Sequence, residues 1–237
     1  MKKYLVFQLY APMAAWGEEA VGENRHTDNV PTQSAILGLI GAAAGIRRDN
    51  TDILDRLANG YSIAIQHLST GQSWLRDFHT VNSFSGRQTP YTRKDELTFG
   101  NMNTMISRRE YVCDGYWRIA VSEKDGAPFS LEEIKGYLDS PQFPLYLGRK
   151  SCPLALPLCP TMVEGTLRQA FLDASEKMPA GSLSSLVGNM TVCYWDDPDE
   201  SSIECQKIET RNHHPINRER WQFAPMKRFS GVLTEDK

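Results

Sequence analysis

One segment, residues 33–45, constrains the fold of this chain more than any other. Thr32 is a suitable N-cap for a helix that begins at Gln33. From position 36 onward the segment holds only leucine, isoleucine, alanine and glycine, so the predicted helix is apolar on nearly every side and must be buried. Gly38 and Gly41 each weaken a helix by about 1 kcal/mol relative to alanine. Their presence predicts that another backbone comes close to this helix.

The segments around this helix form strand–helix–strand patterns. The predicted strands are Lys3–Leu9, Tyr61–Leu68, Tyr116–Val121 and Met190–Trp195, and the other predicted helices are Asn50–Asn59, Leu131–Leu138 and Thr166–Lys177. Two such units in one body predict an α+β fold, a ferredoxin-like sandwich of the RNA-recognition-motif type. In that fold two helices cover one face of an antiparallel sheet.

Residues 69–105 interrupt this regular pattern. The segment is long and polar, is broken by glycine and proline, and has aromatic residues spaced along it. A loop of this length in a compact domain is usually functional or disordered, and the aromatic residues argue against full disorder. We therefore predict a protruding thumb β-hairpin at about residues 74–110, which is poorly packed until RNA or a neighbouring subunit orders it.

Charge is distributed unevenly along the chain. The formal net charge of −3 argues against a simple nucleic-acid binder, whose footprint is usually basic. Residues 123–205 hold 6 basic and 13 acidic side chains, however, whereas residues 206–237 hold 7 basic and 4 acidic ones. A basic face and an acidic face can therefore coexist on one molecule.

Other composition features narrow the class of protein. No stretch approaches the roughly 18 apolar residues that a membrane span needs, and the N-terminus does not resemble a signal peptide. The 5 cysteines are odd in number and scattered, which favours reduced thiols in the cytoplasm. We expect a cytoplasmic protein with no membrane contact.

Three short basic segments are candidates for contact with a polyanion. They are Arg47-Arg48 with Arg25 nearby, Arg108-Arg109 at the base of the thumb, and the glycine turn Gly148-Arg149-Lys150. Each segment taken alone is more often a solvated surface turn or helix end than a binding site. Together with spaced aromatic residues they favour single-stranded RNA, which proteins hold by phosphate contacts and base stacking.

Catalytic residues are harder to identify. Residues 77–80 place His79 beside Asp77, and with Arg108 this arrangement could support metal-independent RNA cleavage, although a histidine that only contacts RNA fits the segment better. His213-His214 lacks a paired ligand motif, and no carboxylate cluster favours Mg²⁺ or Zn²⁺. We predict no metal and no cofactor.

Five short motifs, taken in order, resemble one protein family. They are residues 11–17 (APMAAWG), 31–41 (PTQSAILGLIG), 75–81 (LRDFHTV), 109–114 (REYVCD) and 146–153 (YLGRKSCP). In sequence and spacing they resemble the CasD subunits of CRISPR Cascade complexes, in particular the type I-E branch. The resemblance spans residues 1 to about 160.

This resemblance implies a modified RNA-recognition-type domain at residues 1–160, which includes the thumb, followed by a C-terminal β-rich extension at 161–237. It implies a noncatalytic subunit that binds the 5′ handle of the CRISPR RNA and caps the backbone filament in antiviral defence. The implied partners are the CRISPR RNA, the backbone subunit, the large subunit that reads the PAM and, through the complex, target DNA.

The motifs and the basic segments together give a set of expected RNA-binding residues. They are Trp16, Arg25, Gln33, Arg47, Arg48, His79, Arg108, Arg109, Tyr146, Gly148, Arg149 and Lys150. The alternative function is a metal-independent endoribonuclease that processes precursor CRISPR RNA, as catalytic relatives in type I-C systems do. A third alternative is a structural adaptor whose basic groups are solvated.

Overall fold

A computed structural model describes residues 2–18, 20, 22–84, 89–98, 102–178, 181–217, 220 and 222–234. The strands are β1 (Lys2–Ala14), β2 (Trp16–Gly17), β3 (Asn24–Arg25), β4 (Thr27–Asp28), β5 (Tyr61–Ser69), β6 (Ser73–Phe84), β7 (Met102–Glu123), β8 (Thr161–Gly165), β9 (Val187–Trp195), β10 (Lys207–Asn217) and β11 (Gln222–Thr234). The helices are α1 (Gln33–Ala43), α2 (Thr51–Asn59), α3 (Arg93–Thr98), α4 (Leu131–Asp139) and α5 (Leu167–Lys177), and a 3₁₀ turn spans Gly181–Leu186. None of the helices in these ranges is long and apolar enough to cross a membrane.

One large sheet dominates the molecule. Its main strand order is β10-β11-β9-β5-β7-β1-β8, and the neighbours in this order pair antiparallel. The central strand β7 is 22 residues long, and its second half lies between β1 and β5. The result is a mixed α/β fold built on a mostly antiparallel sheet.

Helices cover both faces of this sheet. On one face Leu5 and Phe7 of β1 pack in a core cluster that also contains residues of α1, α2 and α4. On the other face Tyr4 and Val6 pack with Phe171 of α5. The sequence predicted two helices on one face of the sheet; α1, α2 and α4 share one face, and α5 adds a helix on the other. The additional cover has a physical cause, because consecutive residues of β1 are apolar and both sides of the strand must be shielded from water.

Helix α1 forms where the sequence predicts it. The Thr32 side chain accepts a hydrogen bond from the Ala35 amide at 3.1 Å, as an N-cap does, and the leucine and isoleucine side chains of the helix are buried. Among the described residues no other backbone lies close to either glycine. A Cβ on Gly41 would meet the Leu57 side chain at 3.6 Å, and one on Gly38 would meet no described atom within 4 Å.

The thumb is a hairpin of β6 and the first half of β7. Pairing runs from Ser73 opposite Cys113 to Phe84 opposite Met102, which confirms the predicted hairpin and extends its paired strands to Cys113. Helix α3 lies in the connection between the two strands. Gly86 and Gly100, two of the glycines that interrupt the sequence of this segment, lie outside the described residues.

Residues beyond 160 add strands to two edges of the same sheet. Strand β8 pairs with β1, whereas β9, β11 and β10 extend the sheet beyond β5. The basic terminal segment supplies the β10–β11 hairpin, which the sequence patterns did not predict. The division of the chain at about residue 160 stays a prediction.

Candidate nucleic-acid interface

The glycine turn is held tightly against the end of β1. Gly148 has φ +83°, and a Cβ at this position would lie 1.8 Å from the Ala15 carbonyl oxygen. The Ala15 amide donates to the Leu147 carbonyl at 3.1 Å, and the Leu147 amide donates to the Cys152 carbonyl at 2.8 Å. Glycine is therefore required here by close packing of two backbones, in addition to its left-handed conformation.

Arg149 is bound to the protein through most of its guanidinium group. It donates to the Glu110 carbonyl at 2.9 Å and to the Arg25 carbonyl at 3.4 Å, and its central carbon lies 4.6 Å from the centre of the Tyr111 ring. This residue joins the turn to β3 and β7. The neighbouring Lys150 is exposed and has no side-chain partner among the described residues, so of these two cations it is the one available to meet a phosphate.

Strand β3 brings further arginines to the same place. It pairs in parallel with β7, so that Arg25 lies beside Arg109 and Asn24 beside Arg108. Arg108 forms an exposed ion pair with Glu23 at 3.4 Å, and the Arg109 side chain donates to the Ser107 hydroxyl at 3.2 Å. We call this region, which comprises residues 25–26, 108–111 and 148–150, the thumb base.

Glu110 connects the parts of the thumb base. Its carboxylate lies 3.0 Å from His26 Nδ1 and 2.5 Å from Arg76 Nη2, so it links the loop before α1 to the first thumb strand. Burial acts to raise the pKa of Glu110, but the hydrogen bonds and charges of His26 and Arg76 outweigh it and lower the pKa. The carboxylate therefore stays ionised at neutral pH.

One face of the thumb alternates aromatic and cationic side chains. Trp74, Arg76 and Phe78 occupy every second position of β6 and so share a face, and Arg108 lies directly opposite Phe78. Trp74 is 54% exposed and Phe78 is 69% exposed. We call these four residues the thumb strip. Exposed rings beside cations are the elements with which proteins hold single-stranded nucleic acid.

Comparisons with known proteins show the family of the chain. A family model described as "CRISPR-associated protein (Cas_Cas5)" matches residues 4–229, which is nearly the whole chain. The chain belongs to the Cas5 family of CRISPR-associated proteins. The CRISPR system Cascade subunit CasD of Escherichia coli (strain K12) is 33% identical over 165 residues, covering 67% of this chain and 70% of that protein. The predicted resemblance to CasD is confirmed.

Solved structures share the fold of this Cas5 family member. A chain of a CRISPR RNA-guided surveillance complex superposes with a TM-score of 0.62 at 19% identity, covering 98% of this chain and 89% of that one. A crystal structure of a Cas protein gives a TM-score of 0.58 at 20% identity, with 98% and 94% covered. At this identity the likeness establishes the fold alone.

The predicted site residues of this Cas5 family member do not all meet. The thumb base gathers Arg25, Arg108, Arg109, Gly148, Arg149 and Lys150, and Tyr146 precedes the turn with 38% of its surface exposed. Arg47 and Arg48 are exposed beyond the end of α1, and no contact among the described residues joins them to the thumb base. The basic segments therefore form one cluster and one separate pair.

Two of the predicted RNA contacts are placed elsewhere. Trp16 is 1% exposed and packs edge-to-face on Trp117 with ring centres 5.2 Å apart, so neither face of its indole can stack on a base. We correct its role to that of a core residue. Gln33 is buried at the start of α1 and donates to Asp196 at 3.0 Å, at the end of β9. It does not belong to the thumb base.

Sequence reasoning did not include Trp74, Arg76, Phe78, His26 and Glu110 among the site residues. The signal for the first three was available, because alternate positions of a strand share a face. His26 and Glu110 come together only through folding.

His79, which was predicted, lies on the other face of the thumb with Nε2 2.8 Å from the Asp77 carboxylate. Within the described ranges no group of three or more histidine, cysteine or acidic residues could hold a metal ion.

Proposed function

We propose that this Cas5 family member is a noncatalytic subunit of a type I-E CRISPR surveillance (Cascade) complex. In this proposal it binds the 5′ handle of the CRISPR RNA and caps the backbone filament. The relative from Escherichia coli, a protein named as a Cascade subunit, supports a place in such a complex. The partners proposed with it are the backbone subunit, the large PAM-reading subunit and, through the complex, target DNA.

The observation that carries RNA binding is the thumb strip beside the thumb base. Trp74 and Phe78 offer exposed ring faces on which bases can stack, Arg108 is an exposed cation on the same face of the thumb, and Lys150 is an exposed cation of the thumb base. Stacking on aromatic side chains is largely independent of base type, whereas phosphate contacts set the position of the strand. A single-stranded handle needs both kinds of contact.

The strand order supports a ferredoxin-like unit within the larger sheet. Strands β5, β7, β1 and β8 are neighbours in that order, with α1 and α2 between β1 and β5 in the chain and α4 between β7 and β8. This is the β-α-β-β-α-β pattern of ferredoxin-like domains. Since its fourth strand spans Thr161–Gly165, we place the end of this unit at about residue 165, a few residues beyond the predicted boundary at 160.

Substitutions on the thumb test the proposed RNA contact. In the assembled complex, Phe78→Ala should weaken binding of handle RNA roughly tenfold, since one stacked base contributes about 1–3 kcal/mol. Tyr91→Ala is the matched control, because Tyr91 is 96% exposed and lies in the thumb outside the strip. Fluorescence anisotropy with labelled handle RNA measures the RNA affinity of both variants. Equal affinities for the two variants would contradict the proposed contact.

A second candidate function follows from one contact. The His79 Nε2 atom lies 2.8 Å from the Asp77 carboxylate, close enough for Asp77 to orient the imidazole as a general base, although this nitrogen makes no hydrogen bond among the described residues. Metal-independent cleavage of precursor CRISPR RNA is therefore the alternative function. Incubation of the purified protein with repeat RNA in EDTA decides between the two. Cleavage at one bond that is abolished by His79→Ala supports the enzyme, and intact RNA supports the noncatalytic subunit.

A further inference from the structure

Arg76 lies midway between the two exposed rings of the thumb strip. Trp74, Arg76 and Phe78 occupy alternate positions of β6, so their side chains stand in a row on one face of the hairpin. Successive residues of a strand are about 3.3–3.4 Å apart, and neighbouring members of this row are therefore separated by about 6.7 Å. All three side chains are open to solvent, with 67% of the Arg76 side chain exposed. A ligand can therefore enter between them.

The guanidinium group of Arg76 is held in place by Glu110. Glu110 lies directly opposite Arg76 on β7, and its Oε1 atom accepts from Arg76 Nε at 3.1 Å and from Nη2 at 2.5 Å. Two hydrogen bonds to one oxygen restrict the rotation of a planar, rigid group. The Glu110 carboxylate is only 14% exposed and is itself held by His26 at 3.0 Å. Arg76 is therefore a restrained planar group between two rings.

The spacing of the row fits one base in each gap. Bases stacked in one strand are about 3.4 Å apart, so a gap of about 6.7 Å between two planar groups holds a single base with a normal stacking distance on either side. Guanidinium planes stack on bases as aromatic rings do. Without Arg76 the distance from Trp74 to Phe78 would be about 13 Å, which holds about three bases stacked on one another. Arg76 thus divides one wide gap into two single-base gaps.

We propose that Trp74, Arg76 and Phe78 separate two consecutive bases of the RNA, with one base between Trp74 and Arg76 and the next between Arg76 and Phe78. The two bases then no longer stack on each other. Unpaired nucleotides meet this requirement, because their bases can be splayed apart and stacked on side chains. This inference rests on the proposed function and defines its ligand more closely, as an unpaired and unstacked dinucleotide.

Arg108 supplies a phosphate contact beside the two gaps. It lies opposite Phe78 on the same face of the hairpin, and its ion pair with Glu23 at 3.4 Å leaves 51% of the Arg108 side chain exposed. Exposed ion pairs contribute little to stability, so a phosphate can replace the Glu23 carboxylate. The RNA backbone can therefore be held at the edge of the row while its bases enter the gaps.

Adjacent 2-aminopurine bases report whether two neighbouring bases of the RNA stack on each other, because stacking splits their long-wavelength circular dichroism band into a couplet. The full chain is assembled with the Cascade subunits and a guide RNA that carries the pair at successive positions of the 5′ handle. We expect one position at which the couplet is lost in the wild-type complex and restored by Arg76→Ala, whose wider gap lets the bases stack. A couplet at every position of the wild-type complex, or a loss that persists in Arg76→Ala, would overturn the proposal.

The affinity for handle RNA separates the plane of Arg76 from its charge. Arg76→Lys keeps a positive charge beside Glu110 but removes the planar group, and we expect roughly threefold to tenfold weaker binding in the assembled complex. Arg93→Lys is the matched control and should bind like wild type, because Arg93 is an exposed thumb arginine that pairs with Glu96 outside the strip. Equal affinities of the two variants would overturn the role of Arg76 as a stacking group.

Phe78→Ala and Tyr91→Ala in the same assay distinguish failure of this inference from failure of the proposed function. Thermal unfolding confirms that each variant is folded before binding is measured. If Phe78→Ala and Tyr91→Ala bind equally, the proposed RNA contact fails and this inference fails with it. If Phe78→Ala binds more weakly while Arg76→Lys binds like wild type, only the separation of the two bases is overturned.

Discussion

The guanidinium of Arg149 lies 4.6 Å from the centre of the Tyr111 ring and donates to the carbonyl of the adjacent Glu110 at 2.9 Å. The residue was predicted as an RNA contact, but these interactions also give it a structural role in joining the glycine turn to the thumb. Lys150, next in the chain, is exposed. The two cations of one turn are therefore expected to respond differently to substitution.

Replacing each cation of the turn by alanine separates stability from binding. Arg149→Ala should lower the free energy of unfolding by about 1–3 kcal/mol, because it removes a cation–π contact and backbone hydrogen bonds. Lys150→Ala should change it by less than about 0.5 kcal/mol and should weaken RNA binding instead. Urea unfolding and fluorescence anisotropy measure the two effects. Equal loss of stability in both variants would contradict the structural role of Arg149.

Gly148 should not tolerate a side chain. In Gly148→Ala the new Cβ would lie 1.8 Å from the Ala15 carbonyl oxygen, so the turn or the end of β1 must move, and we expect a loss of about 3 kcal/mol or more. Gly71→Ala is the matched control. Gly71 also has a left-handed φ of +76°, but a Cβ there would meet no atom of the described residues within 4 Å, so only the conformational cost of about 1 kcal/mol remains. Thermal or urea unfolding measures the stability of both variants. Similar losses of stability in the two would contradict the close approach of Gly148 to the Ala15 carbonyl.

The features that could be predicted from sequence depend on neighbours in the chain. Thr32, Ser130 and Thr166 each accept a hydrogen bond from an amide three residues later, so the sequence around them contains what is needed to predict a helix start. The hairpin of the thumb is also a pairing of strands that follow one another. Such local structure was predicted with nearly correct bounds.

The features that could not be predicted depend on residues far apart in the chain. Trp16 follows two alanines in a segment that looks like a loop, and its burial is decided by Trp117, about a hundred positions later. The pairing of β8 with β1 likewise joins segments that are far apart in the chain. Glu110 also depends on distant residues, because it meets His26 and Arg76 from two other segments. A basic residue pattern likewise does not tell which arginine is already bound to the protein.

Neutralising Glu110 should loosen the thumb. Glu110→Gln weakens the contacts with His26 and Arg76, and because the Arg76 side chain is 67% exposed we expect a modest loss of about 1 kcal/mol. Backbone amides of β6 should then exchange with solvent roughly fivefold faster. Glu23→Gln, at an exposed carboxylate paired with Arg108, is the control. Hydrogen exchange followed by mass spectrometry measures both, and unchanged exchange in β6 would show that Glu110 does not hold the thumb.

Asp196 should make the protein less stable as pH rises. Burial raises the pKa of its carboxyl group to about 6, against the opposing charge of Lys124. Between about pH 4 and pH 6 the folded chain then binds more protons at this site than the unfolded chain, so ionisation reduces stability by up to about 3 kcal/mol across this window. Asp196→Asn cannot ionise, and its free energy of unfolding relative to wild type should therefore increase from pH 4 to pH 6.5 in urea titrations.

The adjacent Asp197 supplies the control of opposite sign. Burial acts to raise its pKa, but the ion pair with Lys2 at 2.5 Å outweighs burial, and the pKa is lowered. The ionised Asp197 stabilises the folded chain at any pH above the pKa that this group has in the unfolded chain. This stabilisation is lost as pH falls through the lower pKa that Asp197 has in the folded chain. Asp197→Asn should therefore lose stability relative to wild type near neutral pH and less in acid, the reverse of Asp196→Asn. If the free energy of unfolding relative to wild type changed with pH in the same direction for both variants, the assignment of Asp196 as the carboxylate whose ionisation opposes folding would be contradicted.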